Sequence, residues 1–291
     1  MALSIFFEQI LNGVIIGSMY ALIGSGIALV YGTMRVLNLA HGEFYMLGGY
    51  FTFYLFVTFG LPAWLAIPLA MAAAFLVGAL IQRLAIRSLL GREGWMFSTI
   101  AATLGLSIFL QNLALLVFGE QFQNLPYYLD GTLAIGPLRL PMQRVLILVV
   151  ALATIAAMTY ILKRTRLGWA IRATAQDRDA AQVVGIPAER IYMITFGLAA
   201  ALGAVAAAML APIYAINPWS GMPILLKGFV VVILGGLGSF PGAIARRLIL
   251  GVLEAIRVRL TASESRHVIS FPLMIAVIWW RPWGLFGVRP S

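Results

Sequence analysis

Two polar breaks in an otherwise apolar chain carry the side chains best equipped for chemistry. The first, Asn38-Leu-Ala-His-Gly-Glu43, offers an amide, an imidazole and a carboxylate; the second, with Asn217, Ser220 and Lys227, offers an amide, a hydroxyl and an amine. Groups of this kind inside a membrane hold a polar solute, relay protons or hydrogen-bond neighbouring helices. They do not form a catalytic set. His41 and His267 are the only histidines and there is no cysteine, so a thiolate metal site and a disulfide framework are excluded, and no paired-carboxylate or nucleophile–base arrangement is evident. No Gly-x-x-x-x-Gly-Lys-Ser/Thr phosphate loop occurs either.

The elements that must position these groups are set by composition. Of 291 residues 62% are hydrophobic and 10% charged, which makes lipid the solvent for most of the chain. The apolar runs are continuous rather than alternating, so they read as helices and not as barrel strands. The expected fold is all-α, one polytopic transmembrane domain over 1–291 with about eight or nine crossings and broken or re-entrant segments. Candidate spans run over 6–31, 44–59, 64–81, 95–118, 145–162, 191–210, 225–237, 243–256 and 268–280, with an ordered surface loop at 119–143. The formal charge of +10 belongs to topology rather than to nucleic-acid binding: Arg83, Arg87 and Arg92 form one basic loop and 163–190 a longer one, and both are placed inside. Counting outward gives an external N-terminus and an internal C-terminus. Arg257, Arg259 and Arg266 conflict with that count, and the adjacent Arg246 and Arg247 are placed at the membrane surface or against a partner. The first residues lack a basic region and a cleavage site, so the first run reads as a retained span.

Within the longer basic segment, Thr174 to Pro187 predicts one short helix too brief to cross a bilayer. Thr174 is its expected N-cap with Asp177 three residues on, and Gly185 its C-terminal cap before Pro187. Ala180 and Val184 share a face with Ala181 alongside, a small apolar stripe that packs on the protein's own helix ends or is covered by a partner.

Asp179-Ala-Ala-Gln-Val-Val-Gly185 resembles the acidic-Ala-Ala-x-x-x-Gly pattern of importer-type ABC permeases. Leu11-Asn-Gly-Val-Ile-Ile-Gly-Ser-Met-Tyr-Ala-Leu22, Val36-Leu-Asn-Leu-Ala-His-Gly-Glu-Phe-Tyr-Met-Leu-Gly48, Leu234-Gly-Gly-Leu-Gly-Ser-Phe-Pro-Gly-Ala243 and Arg281-Pro-Trp-Gly-Leu-Phe-Gly287 narrow the likeness to the LivH-type subunit of the branched-chain amino acid permease family. That resemblance covers essentially the whole chain. It implies that Thr174, Asp177, Asp179, Ala180, Ala181, Val184 and Gly185 couple the chain to an ATPase. It also implies a solute path shared with a homologous LivM-type permease, with Asn38, His41, Glu43, Asn217, Ser220 and Lys227 as candidates to line it. Further implied partners are two cytoplasmic ATPase subunits, which use ATP and magnesium that this chain does not bind, and a periplasmic substrate-binding protein. The location implied is the bacterial inner membrane.

Each candidate has a plainer reading: His41 and Glu43 lie near the cytoplasmic surface, Lys227 snorkels, and Ser107, Gln111 and Asn112 serve helix packing. Gly13, Gly17, Gly24, Gly26, Gly48 and Gly49 read as close-approach positions. The expected function is a transport subunit for branched-chain or related hydrophobic amino acids. The alternatives are urea, short amides or other small carboxylates, and an ATP-independent channel or secondary transporter, which scarce intramembrane carboxylates disfavour. A membrane enzyme ranks last.

Overall fold

A computed structural model describes residues 2–91, 93–135 and 138–235. The expected spans at 243–256 and 268–280, the Arg246-Arg247 pair, His267 and the Arg281–Gly287 terminus lie outside the described residues. Nine helices follow in order among those described: α1 (Ala2–Met34), α2 (His41–Phe53) prolonged by a π-helical turn (Tyr54–Thr58), α3 (Ala63–Ile81) prolonged likewise (Gln82–Ile86), α4 (Trp95–Phe118), α5 (Met142–Arg164), α6 (Arg166–Gln176), α7 (Arg178–Val183), α8 (Ala188–Leu210) and α9 (Gly221–Gly235). Five contain stretches long and apolar enough to cross a bilayer: Gly13–Met34, Ala63–Ile86, Trp95–Phe118, Met142–Arg164 and Ala188–Leu210. α2 and α9, at 13 and 15 residues, are shorter than the roughly 20 residues a crossing needs. The expectation of a helical bundle with broken segments is met. The one addition is a small antiparallel hairpin, β1 (Thr132–Ile135) with β2 (Leu138–Pro141), inside the predicted surface loop.

α8 is the centre of the bundle. Its sequence Gly-Leu-Ala-Ala-Ala-Leu-Gly-Ala-Val-Ala-Ala-Ala over 197–208 puts small side chains on every face, and α1, α2 and α3 all pack on it. Between helices lipid supplies no hydrophobic drive, so association rests on close packing, which small residues permit. Gly48 of α2 lies on the backbone of Ala204, and Gly78 of α3 faces the Phe196 carbonyl and the Ala200 methyl. In the α1 and α8 spans 83% and 78% of residues are buried, against 22–33% in α3, α4 and α5, which leave broad apolar faces outward.

The two basic loops lie on one side of the bundle. Arg87, just past the end of α3, pairs with Glu189 in the first turn of α8 at 2.6 Å, which joins the two loops. With both side chains half exposed, this pair adds little stability. On the opposite side, Gln123 and Ile216 exchange backbone hydrogen bonds of 2.8 Å, tying the surface loop to the second polar break.

Gly48→Ala is expected to destabilise the bundle by about 1–3 kcal/mol, because its methyl has only the Ala204 backbone to displace. Gly105→Ala, which meets nothing within 4 Å, is the matched control. Thermal unfolding in detergent should separate the two, with a lower midpoint for the first alone.

Candidate translocation site

α1 ends where Arg35 takes a positive φ of 56°, turning the chain back toward the bundle. Asn38 then builds the start of α2: its Oδ1 accepts from the Ala40 amide at 3.0 Å, and its carbonyl accepts from the His41 amide at 3.3 Å. The second break uses the same device. Asn217 Oδ1 accepts from the Trp219 amide at 2.9 Å, and its carbonyl accepts from the amide and hydroxyl of Ser220, just before α9 begins. An asparagine that closes a turn on its own backbone is a ready way to restart a helix.

These two restarts meet inside the bundle. Gly42 and Gly221 touch backbone to backbone; a Cβ on Gly221 would come within 2.7 Å of the Gly42 carbonyl and 2.8 Å of Glu43 Oε2. The His41 ring packs on Gly26 of α1 beside the Ala199 carbonyl. Ala199 is the midpoint of α8, which runs 188–210. The first break therefore reaches the level of the middle of α8, a helix long enough to cross a bilayer, and both His41 and Glu43 are fully enclosed.

Glu43 is held from the side by α4. Its Oε1 accepts from Ser107 Oγ and Gln111 Nε2, each at 2.8 Å, and Gln111 also donates to Ser107. Thr103, one turn earlier, accepts from the Leu39 amide at 3.2 Å and lies 3.3 Å from the Leu37 carbonyl as donor. Ser107 and Gln111 do serve helix packing, as expected, but the packing partner is the candidate site. Asn112 bonds only its own helix, at the Ile108 carbonyl. Thr103 was not singled out in the sequence, although the 103–107–111 spacing marks one face of α4. Glu43 Oε2 and Asn38 Nδ2 are buried and have no hydrogen-bond partner among the described residues, an arrangement expected at functional positions inside a membrane.

Lys227 lies further along α9 and is partly exposed. Its Nζ donates to Tyr20 Oη at 2.9 Å and sits 4.9 Å from the centre of the Tyr20 ring. Thus the structure brings Glu43 to the start of α9, closes Asn217 and Ser220 into their own turn, and sets Lys227 apart against α1.

The cytoplasmic segment differs from the single helix expected. Thr165 caps α6, its hydroxyl accepting from the Gly168 amide at 3.2 Å, so Thr174 falls inside that helix and its hydroxyl returns to the Ala170 carbonyl. Asp177 is the cap instead: extended backbone there ends α6, and its Oδ1 accepts from the amides of Asp179 and Ala180 at 2.9 and 3.0 Å. Aspartate is the better cap of the two and sits next to the apolar run. Gly185 closes α7 as expected. With φ at +86°, its amide donates to the Gln182 carbonyl while that of Ile186 donates to Ala181, both at 2.9 Å, the 5→2 and 6→1 pair of a glycine-terminated helix. The exposed stripe is also different. Ala181 is buried, whereas Val183 and Val184 are 88% and 74% exposed beside the exposed Ala180 and Asp179. Val183 follows Ala180 by three residues, a spacing that could have revealed it.

Membrane-length helices, two breaks meeting at mid-depth and a capped helix among the basic loops define a multi-pass membrane permease subunit. The chain belongs to the family of branched-chain amino acid transport system permease components, whose model matches residues 9–278. It is 36% identical to the high-affinity branched-chain amino acid transport system permease protein BraD of Pseudomonas aeruginosa, over 98% of this chain and 97% of that one. To the permease protein LivH of Escherichia coli K12 it is 34% identical over 98% and 96%. The permease protein LivM of Salmonella typhimurium is more distant, 28% identical over 94% of this chain and 69% of its own length. No solved structure matches. As a member of this family the chain is a permease of an ABC importer, a transport component.

Removing both donors to Glu43 with Ser107→Ala and Gln111→Leu is expected to cost about 1–3 kcal/mol for each lost partner of a buried charge. Adding Glu43→Met should restore much of the loss, since an apolar replacement of a buried charged network is often neutral. Detergent melting of the double and triple variants checks both directions.

Proposed function

We propose that this chain forms one half of the transmembrane path of an ATP-driven importer of branched-chain amino acids in the bacterial inner membrane. In this reading the other half is a homologous LivM-type permease, a periplasmic binding protein delivers the solute, and two cytoplasmic ATPases bind ATP and magnesium. The relatives' names carry the substrate class. The observation that carries the coupling role is α7. It is fixed at both ends by Asp177 and Gly185, yet it exposes Val183 and Val184 on the basic, cytoplasmic side. Two exposed valines beside an alanine suit helix-in-groove docking, and Asp179 supplies a charge to set register. From α7 the chain passes through Pro187 into α8, whose midpoint Ala199 lies beside Gly26, the residue on which His41 packs, so a shift of the docked helix has a continuous helix through which to reach the breaks.

The solute path in this reading passes the Gly42–Gly221 crossing. Helix breaks near the midplane of a transporter leave helix N-termini that attract anionic solute groups. Here the two glycines close the crossing, and separating α9 from α2 opens it.

Val184→Asp and Asp179→Lys are both changes at exposed positions, expected to alter folding by no more than about 0.5 kcal/mol. Each should nevertheless reduce co-purification of the ATPases and ATP-dependent leucine uptake in proteoliposomes at least about tenfold, the effect of losing roughly 1.4 kcal/mol of binding. Unchanged ATPase association in both variants would refute the coupling role of α7.

A further inference from the structure

Lys227 is a cation at a depth where a cation has no ordinary reason to be. Its amine rests on Tyr20. Tyr20 precedes Gly26, which is level with the midpoint of α8, by six residues, roughly 9 Å of helix. The hydrocarbon half-layer is about 15 Å thick, so the amine lies within it, below the headgroups. Among the described residues it has no carboxylate partner; Arg87–Glu189 is the ion pair they form. It is not sealed in, either. Lys227 is partly exposed, and on the same helix Met222 and Leu226 are 40% and 39% exposed, as is Tyr214 of the second break at 43%. Tyr214 is within electrostatic reach of Lys227.

Lipid is a poor neighbour for an amine at this depth, since charged groups inside a membrane face a bundle interior or a wet passage. An ammonium has three donors, and Tyr20 takes one. Among the described residues no other acceptor bonds it, which leaves two donors for an acceptor that comes and goes. Glu43 is the contrasting case: it is fully enclosed, with one oxygen already doubly bonded to α4.

We propose that Lys227, oriented by Tyr20, is the station on the solute path that receives the carboxylate of the transported amino acid. This rests on the importer reading above and deepens it, because urea and simple amides carry no group for such a site. Tyr20 is a positioning residue here: its hydroxyl holds Nζ in place and its ring stabilises the charge when no solute is present.

The test uses the complete transporter, both permeases with ATPases and binding protein, in proteoliposomes. Leucine uptake and binding-protein-stimulated ATP hydrolysis are measured together. Lys227→Met should lower leucine moved per ATP hydrolysed about tenfold, the scale of one lost charge-assisted hydrogen bond, while hydrolysis remains stimulated. Lys227→Arg should keep uptake within about threefold of wild type, because the charge persists, and Tyr20→Phe should fall between the two. Wild-type coupling in Lys227→Met overturns the proposal, and so does a parallel loss of uptake and hydrolysis, which marks a structural role. Should Lys227→Met fail to assemble with the partner permease, Tyr20→Phe decides: a two- to fivefold fall supports the station and no change refutes it. Wild-type uptake that requires anionic lipid, a requirement absent from Lys227→Met, would assign the amine to a headgroup instead. Absence of ATP-driven leucine uptake by the wild-type complex would overturn the importer reading and the station with it, whereas the Lys227→Met outcomes above overturn the station alone.

Discussion

Glycine and alanine along α8 let three other helices approach until backbones touch, and the remaining structure is arranged around that contact. In water an alanine-rich helix would bury too little to hold a core together. In lipid the comparison changes, because apolar side chains gain nothing by leaving one apolar environment for another. What distinguishes a packed pair is then the number of atoms at van der Waals distance, and small residues maximise it. Gly48 on Ala204 and Gly78 on Ala200 are the two closest expressions of this constraint.

Such a centre also makes room for polar breaks. Backbone that leaves a helix within a membrane must find partners in the protein, and each break here finds them partly in its own asparagine. The first is secured further by Thr103, and the carboxylate just beyond it by Ser107 and Gln111. α4 is otherwise loosely attached, with most of its surface outward. Its polar stripe is therefore what joins it to the break, which explains why three hydrogen-bonding residues recur at one-turn spacing in an apolar helix.

The same geometry connects the two ends of the proposed mechanism. α7 is short and capped at both ends, four residues separate it from α8, and the midpoint of α8 lies beside Gly26, on which the enclosed His41 packs. Burial of an imidazole, and of a carboxyl group with one oxygen unpaired among the described residues, is costly. Motion that admitted solute or water to those atoms would relieve that cost, so closed and open arrangements need not differ greatly in free energy.

The bundle was legible in the sequence because lipid imposes one rule, that long apolar runs must be helices, and the ends of α4 and α8 fall within three residues of expectation. Gly185 before Pro187 marked the end of α7, since only local backbone chemistry was involved. Local chemistry was also where the reading slipped: Thr174 and Asp177 both satisfy capping rules, and competition between α6 and α7 for the chain decided for Asp177. The neighbours of Glu43, the meeting of Gly42 with Gly221, and the place of Lys227 against Tyr20 join residues 64 to 207 positions apart. No periodicity records such pairs. The sequence by itself determined that polar groups interrupt the membrane helices; only the tertiary structure, by folding both breaks inward against α8, decided that they meet.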